Sequence, residues 1–301
     1  MNTRSAVVIT LAVVLAISAL CVWFVPSLQD FMAGNTMWNG VRTFLSDSKA
    51  QQATSLSILP ADSKGAVFIA VPYIDYSTDD LAKLQSFLLD GGTVVLADDF
   101  GYGNHLLEYL GVTPRFDTRP LLDPLFSYRN QWMPKITDFP NPHDFQVVVL
   151  NHATTLLNVD ASDVVAWSSA TSYIDVNRSE VWNDDEPKGP FPVAAKLAVG
   201  QGTLVLASDA SLMINSMINY ADNYAFVNYL MGLGGDVKSI CFDVSHLSAT
   251  PLDVSKGELS RVKQLLGTPY PLLAVMAAAF TLVARWMLHT GGPIERQPTD
   301  R

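Results

Sequence analysis

The chain has 301 residues, 49% of them hydrophobic and 16% charged, with a formal net charge of −10. Removing Arg4 (+1) and residues 259–301 (five basic, two acidic, +3) leaves −14 for residues 5–258, a balance that repels nucleic acid and anionic lipid. Cys21 and Cys241 are the only cysteines, and no CxxC, HExxH or Cys/His cluster occurs, so neither a disulfide framework nor a structural metal is expected, and no cofactor motif is present.

Two uncharged apolar runs bracket the chain, Ala6 to Val25 and Leu265 to Ala284. Each matches the roughly 20 residues that a helix needs to cross a bilayer. A cleaved signal peptide is the competing reading of the first run, but it is longer than an h-region and no small-x-small site follows it. A buried core helix competes for the second, where Arg285-Trp286 reads as an interfacial pair. The sequence therefore predicts a cytoplasmic tail and span over 1–30, an extracytoplasmic domain over 31–260, a second span over 261–289 and a cytoplasmic tail over 290–301. Basic residues near both termini place the tails in the cytoplasm and the protein at the cell membrane.

Within the domain, Asn39 to Gln52 carries a helical pattern and Ser55 to Leu59 a short strand pattern. Ala66 to Val71 is a continuous apolar run closed by Pro72, the mark of a strand buried on both faces. A helix follows from Thr78, read as its N-cap, through Leu89, stopped by Gly91-Gly92. Thr93 to Ala97 is a second buried strand, then come a loop and a short helix over Asn104 to Leu110. From 112 to 144 prolines and scattered aromatics predict an irregular insertion over the core. Phe145 to Leu150, Val164 to Ser168, Thr203 to Ala207 and Val237 to Val244 read as strands, with a helix from about Asp222 to Leu233. Strands alternating with helices predict an α/β fold: a mainly parallel sheet with helices on both faces, flanked by terminal transmembrane helices.

In such sheets ligands collect beyond the carboxyl ends of the strands. The candidate ligand-binding residues are accordingly Asp98, Asp99, Gly101, Gly103, Asn104, Asp209 and Asn215. Gly101 and Gly103 follow a strand and lead into a helix, a place where backbone amides cradle anions, but G-x-G-x-x-L beside two aspartates is a poor phosphate site. The competing reading is a tight turn with Asn104 as a cap. Asp98, Asp99 and Asp209 could hold a metal or serve as acid and base, although neighbours on a strand point to opposite faces and capping is the simpler role. His105 and His152 have no partner at metal or triad spacing and read as ordinary histidines, and Asn177-Arg178-Ser179 is a glycosylation sequon.

Several stretches carry a resemblance: Asn35-Thr36-Met37-Trp38-Asn39-Gly40, Leu96 to Gly101 with Gly103-Asn104, Gly189 to Val193, and Ser208-Asp209 through Asn215 to Asn223. From about residue 35 to 290 the chain resembles the "domain of unknown function 4350" (DUF4350) group, which is similar to the membrane-anchored accessory domains of gliding-type ABC transporters. The resemblance implies a class I glutamine-amidotransferase-like fold. Amidotransfer would need a cysteine nucleophile on a strand-to-helix elbow, where this chain has Asp98-Asp99-Phe100, so no catalysis is expected. It also implies partners: members resemble companions of MoxR-type AAA ATPases, von Willebrand-like proteins and membrane transglutaminase-like proteins. The expectation is a non-catalytic binding or scaffold domain in a membrane assembly. The alternatives are an ABC-transporter accessory subunit, or a hydrolase or carbohydrate-binding domain using Asp98, Asp99 and Asp209. An accessory role predicts an exposed aromatic patch among Phe126, Tyr128, Trp132 and Phe139.

Overall fold

The computed structural model describes residues 3–266, together with 277 and 281. Two compact units divide the chain, an α/β unit over Pro26–Ser248 and a helical unit built from the segments before and after it.

The α/β unit is organised by a seven-stranded sheet. Its strands are β1 (Gln51–Ala53), β2 (Ala66–Ala70), β3 (Thr93–Ala97), β4 (Val164–Trp167), β5 (Pro192–Val199), β6 (Gly202–Ala207) and β7 (Ser239–Asp243), in the spatial order β1-β7-β2-β3-β6-β5-β4. The pairs from β1 to β6 along that order are parallel, whereas β5 runs antiparallel to both β6 and β4. The mainly parallel sheet is therefore present, with an antiparallel flank.

The continuous apolar runs follow from burial on both faces. Val67 and Ile69 of β2, Val95 and Ala97 of β3, and Val205 and Ala207 of β6 belong to one core, and the residues alternating with them, among them Phe68, Val94 and Leu206, belong to the other. This is the two-residue period of a strand whose two sides are both dry. The first core is closed by Phe44 of α2 (Arg42–Ser48) and by Phe226, Val227, Leu230 and Met231 of α5 (Asn223–Gly232). The second is closed by Leu81, Leu84, Phe87 and Leu88 of α3 (Thr78–Leu89) and by Leu106 and Leu107 of α4 (Asn104–Tyr109). Ser77 rather than Thr78 caps α3, its Oγ accepting the Asp80 amide at 3.2 Å.

Some local expectations change. The pattern over Asn39 to Gln52 is helical only as α2, because Lys49 takes a left-handed φ of 56° and the chain then enters edge strand β1. Ser55 to Leu59 forms a 3-10 turn over Leu56–Ile58, with Ser55 capping it through the Ser57 amide. The insertion is irregular but tied down: Arg115–Phe116 pairs with Leu156–Leu157, Leu121–Leu122 with Tyr173–Ile174, and Lys135–Ile136 with Val148–Val149.

In the helical unit, α1 (Thr3–Phe24) packs against α6 (Pro251–Leu266), which opens with a capping box. The Thr250 amide donates to Asp253 Oδ2 at 3.0 Å, and the Asp253 amide donates back to Thr250 Oγ1 at 3.3 Å. The expected flanking transmembrane helices are not supported: among the described residues, no helix is long and apolar enough to cross a membrane. A helix does form over the first run, as α1. The described helix that leads toward the second run, α6, is amphipathic, carrying Asp253, Lys256, Glu258 and Arg261. The second run itself lies outside the described residues beyond Leu266, apart from 277 and 281.

The sheet makes a direct stability prediction. Leu84 is fully buried beneath the sheet, whereas Leu89 on the same helix is 47% exposed. Leu84→Ala is expected to destabilise the domain by about 2–5 kcal/mol, and Leu89→Ala by well under half of that. Urea unfolding of the two variants side by side measures the difference.

Candidate functional site

The carboxyl ends of β3 and β6 carry the aspartates singled out in the sequence, and the structure divides their labour. Asp98 is buried against its own loop. Its Oδ1 accepts the amides of Phe100 at 2.8 Å and Gly101 at 2.9 Å, and its Oδ2 accepts that of Gly103 at 2.6 Å. The amides that could have cradled a phosphate are thus occupied by a side-chain carboxylate. Burial pushes the Asp98 carboxyl above its ordinary value, and the amide bonds oppose that rise.

Gly101 is required here, and Gly103 sits in a tight space. Gly101 has a φ of 94°, and a Cβ on it would meet Thr118 Cγ2 at 2.4 Å; one on Gly103 would come within 3.0 Å of Asp98 Oδ2 and Leu96. Asn104 does not cap α4. Its amide instead clamps Phe116, donating to the carbonyl at 3.0 Å and accepting the N–H at 2.8 Å.

Asp209 is also committed. Its Oδ2 accepts the Asn151 amide at 2.6 Å and its Oδ1 the Ser211 amide at 2.7 Å, so it fixes the turn after β6 and the segment that brings in His152. Burial, then the charge of Asp99, drives its pKa well up. Asn215 is a tie rather than a ligand group: it accepts the Thr43 amide at 2.9 Å and donates to the Met37 carbonyl at 2.6 Å. That bond holds the Asn35-to-Gly40 motif, where Gly40 is obligatory because a Cβ would lie 1.9 Å from the Asn35 carbonyl oxygen.

Asp99 alone of the three turns outward. It lines a cleft of about 380 Å³ and a smaller adjoining one of about 160 Å³, which share Asp99, Phe100 and His152. Loss of solvation, then the neighbouring Asp98 and Asp30 charges, raises its pKa to about 7. The larger cleft is walled by Arg119 and Trp132 of the insertion and by Arg178 and Glu180 of a later turn, segments far apart in the chain. Trp132 and His152 are ring neighbours, 4.7 Å between centroids and 31° between planes, and desolvation lowers the His152 pKa. Arg119 is paired with Asp117. Asp175 accepts the amides of Ser179 and Glu180 at 3.0 Å each, shaping the turn that presents Arg178. In the sequence His152 reads as an ordinary histidine, Arg178 only as the middle of a sequon, and Arg119 and Glu180 carry no motif. Each lacks a spaced partner, so only the fold brings them together.

A second polar cluster sits at the end of β7. His246 Nδ1 lies 2.7 Å from Asp243 Oδ2 and its Nε2 lies 3.6 Å from Asp80, while the ring contacts Tyr76 at 4.2 Å between centroids. Burial opposes the imidazolium, but the Asp243 and Asp80 carboxylates outweigh it and raise the pKa of His246.

The family model for "Domain of unknown function (DUF4350)" matches residues 34–231, and the chain belongs to that family. No curated protein matches it in sequence. Among solved structures, the mmIFT52 N-terminal domain is similar at a TM-score of 0.50 and 13% identity, over 66% of this chain and 92% of that one. A β-galactosidase from Bacillus circulans sp. alkalophilus (TM-score 0.34, 13% identity) aligns with 55% of this chain, which spans 22% of that enzyme's length. The exo-β-1,4-mannosidase Op5Man5 from Opitutaceae bacterium strain TAV5 (TM-score 0.30, 10% identity) aligns with 57%, and the chain spans 25% of it. At these identities the likeness to the first concerns the fold alone.

The site predicts a pH dependence. Asp99 has its folded pKa raised from 3.8 to about 7, so the folded state binds more protons than the unfolded one between those values. Its contribution to stability is complete below 3.8 and is lost as pH climbs through about 7. Asp99→Asn is expected to remove that loss, leaving the variant more stable than wild type at pH 8 and closer to it at pH 4. Thermal melts across that range check the sign.

Proposed function

We propose that this chain is a non-catalytic binding and scaffold domain, and that it works within an assembly built around a MoxR-type AAA ATPase. The observation that carries the non-catalytic part is the commitment of two of the three strand-end aspartates. Asp98 and Asp209 are buried and hydrogen-bonded to backbone amides, which leaves Asp99 without a second free carboxylate from that trio to act as its acid–base partner. The class I glutamine-amidotransferase-like fold, which we adopt on the family resemblance and the parallel sheet core, is consistent with this. Its elbow holds Asp98-Asp99-Phe100, and Cys241 is buried in β7 with its thiol pushed up by burial, the opposite of an activated nucleophile.

The scaffold part draws on the family resemblance and on one surface. Leu125 is 79% exposed, with Phe126 and Tyr128 partly exposed beside it in sequence, while Phe139 is buried. The turn that displays them is rigid: buried Asp123 accepts the amides of Leu125 at 3.1 Å and Phe126 at 2.8 Å. Tyr128 is held edge-on to Tyr220, with the Arg129 guanidinium over both rings. An exposed apolar side chain on a fixed turn is suited to docking a protein.

The test is cross-linking of the tagged full-length protein in its own cells, followed by mild purification and mass spectrometry. An AAA ATPase is expected at near-equal amounts, with recovery reduced about tenfold or more by Leu125→Ser/Phe126→Ser at unchanged thermal stability. Recovery of an ABC permease instead would move the assignment to a transporter accessory subunit. A partnerless preparation would sink the scaffold reading.

A further inference from the structure

The cleft beside Asp99 has more construction than a scaffold needs. Non-glycine residues with φ near +60° are uncommon and strained. Eight occur among the described residues, and four of them line the larger cleft: Thr118 at 72°, His152 at 57°, Arg178 at 58° and Glu180 at 58°. Strain concentrated on one cavity is a sign that its wall is shaped for something other than stability.

The polar groups there are also unspent. Arg178 and Glu180 make no side-chain hydrogen bond or ion pair among the described residues, the Asp99 carboxyl engages only its own backbone, and Arg119 uses only one edge of its guanidinium on Asp117. The half-buried Trp132 supplies an aromatic wall.

Chemistry narrows the occupant. A phosphorylated or otherwise strongly anionic ligand would meet Asp99 and Glu180, and a metal ion or polyamine would meet Arg119 and Arg178. A wholly apolar ligand would strip water from all four without replacing their hydrogen bonds. Of the neutral and zwitterionic molecules that remain, the indole of Trp132 favours a neutral one with hydroxyls round its rim and a C–H face. A saccharide ring has both. Carboxylates and guanidinium edges each bind paired hydroxyls in a bidentate fashion, and a volume of about 380 Å³ is within the range of small-ligand sites.

We propose that this cleft is a saccharide-binding site accepting one or two neutral sugar rings, with Trp132 as the stacking wall and Asp99, Arg178 and Glu180 as the hydroxyl-reading groups. The inference rests on the binding, non-catalytic reading of the domain, and the two fail separately.

The experiment is saturation-transfer-difference NMR and calorimetry on the full-length chain. The probes are cellobiose, maltose, lactose and N,N′-diacetylchitobiose, with glutamate and glycylglycine as charged comparators. Saturable binding of at least one disaccharide is expected. Trp132→Ala should weaken it about tenfold, the equivalent of roughly 1.4 kcal/mol, and Trp132→Phe should restore most of it. Arg178→Ala, a change on an exposed side chain, should weaken it with no change in the melting temperature, which keeps the test decisive should Trp132→Ala fold poorly. Binding without cleavage supports both readings. Binding with hydrolysis keeps the ligand class and removes the non-catalytic reading. Absence of saturable disaccharide binding, or preference for glutamate or glycylglycine, overturns the proposal and leaves the scaffold reading to the cross-linking result.

Discussion

The buried carboxylate of Asp98 is the constraint from which the site follows. β3 ends by delivering this side chain beneath its own loop, where three backbone amides converge on two oxygens. Satisfying a buried carboxyl group in this way offsets much of the cost of burying it, and it also leaves the loop a single path. Gly101 must turn left-handed and Gly103 must lie against the carboxylate, so α4 starts where it does. Because successive side chains on an extended segment alternate, placing Asp98 inside sends Asp99 outward. The same alternation that sorts β3 between two cores therefore sets which aspartate meets the cleft.

The neighbouring loops repeat the device at other strand ends. Asp209 organises the turn after β6 and holds the Asn151 amide, which positions His152; Asp243 holds His246 and Ser245 beyond β7. Carboxyl groups buried at the sheet edge thus act mainly as structural hydrogen-bond acceptors, each taking the place of the ligand that an empty amide nest would attract. The consequence for function is directional. A sheet edge that has filled its own anion sites is poorly suited to phosphate chemistry, and the polar groups left facing the cleft are Asp99, Arg178 and Glu180.

How far these features were legible in the sequence depends on whether a local pattern encodes them. Ala66 to Ala70, Thr93 to Ala97 and Gly202 to Ala207 stood out because strands dry on both faces are apolar at every position. β5 did not, since its second half alternates exposed Lys196 with partly buried Leu197 and it opens on Pro192. β1 is polar at Gln51 and Gln52 because it is an edge strand, and its residues read as the tail of a helix. Asp98, Asp99 and Asp209 were found from the rule that strand ends carry sites, but which would be buried depended on loop paths that no residue pattern specifies. Arg119, Trp132, His152 and Arg178 are separated by 59 positions from first to last. They meet only because three short antiparallel pairs fold the insertion back on itself. Thr118, Arg178 and Glu180 have left-handed φ, and none of these residue types announces it.

The terminal apolar runs show the opposite limit, a strong composition signal that does not fix an architecture. Apolarity over twenty residues is a statement about transfer free energy, and it is blind to how a helix is continued. In the helical unit the described chain after the α/β unit is not an apolar rod but a capped amphipathic helix, with four charged residues between Asp253 and Arg261. α1 packs against that helix, with Leu20 and Trp23 on one side and Leu259 and Val262 on the other lining a shared apolar groove. That contact covers one stripe of α1 only: Leu15, Ile17, Leu20 and Phe24 keep more than half of their surface exposed, so the pull to remove apolar surface from water is not met by α6 alone.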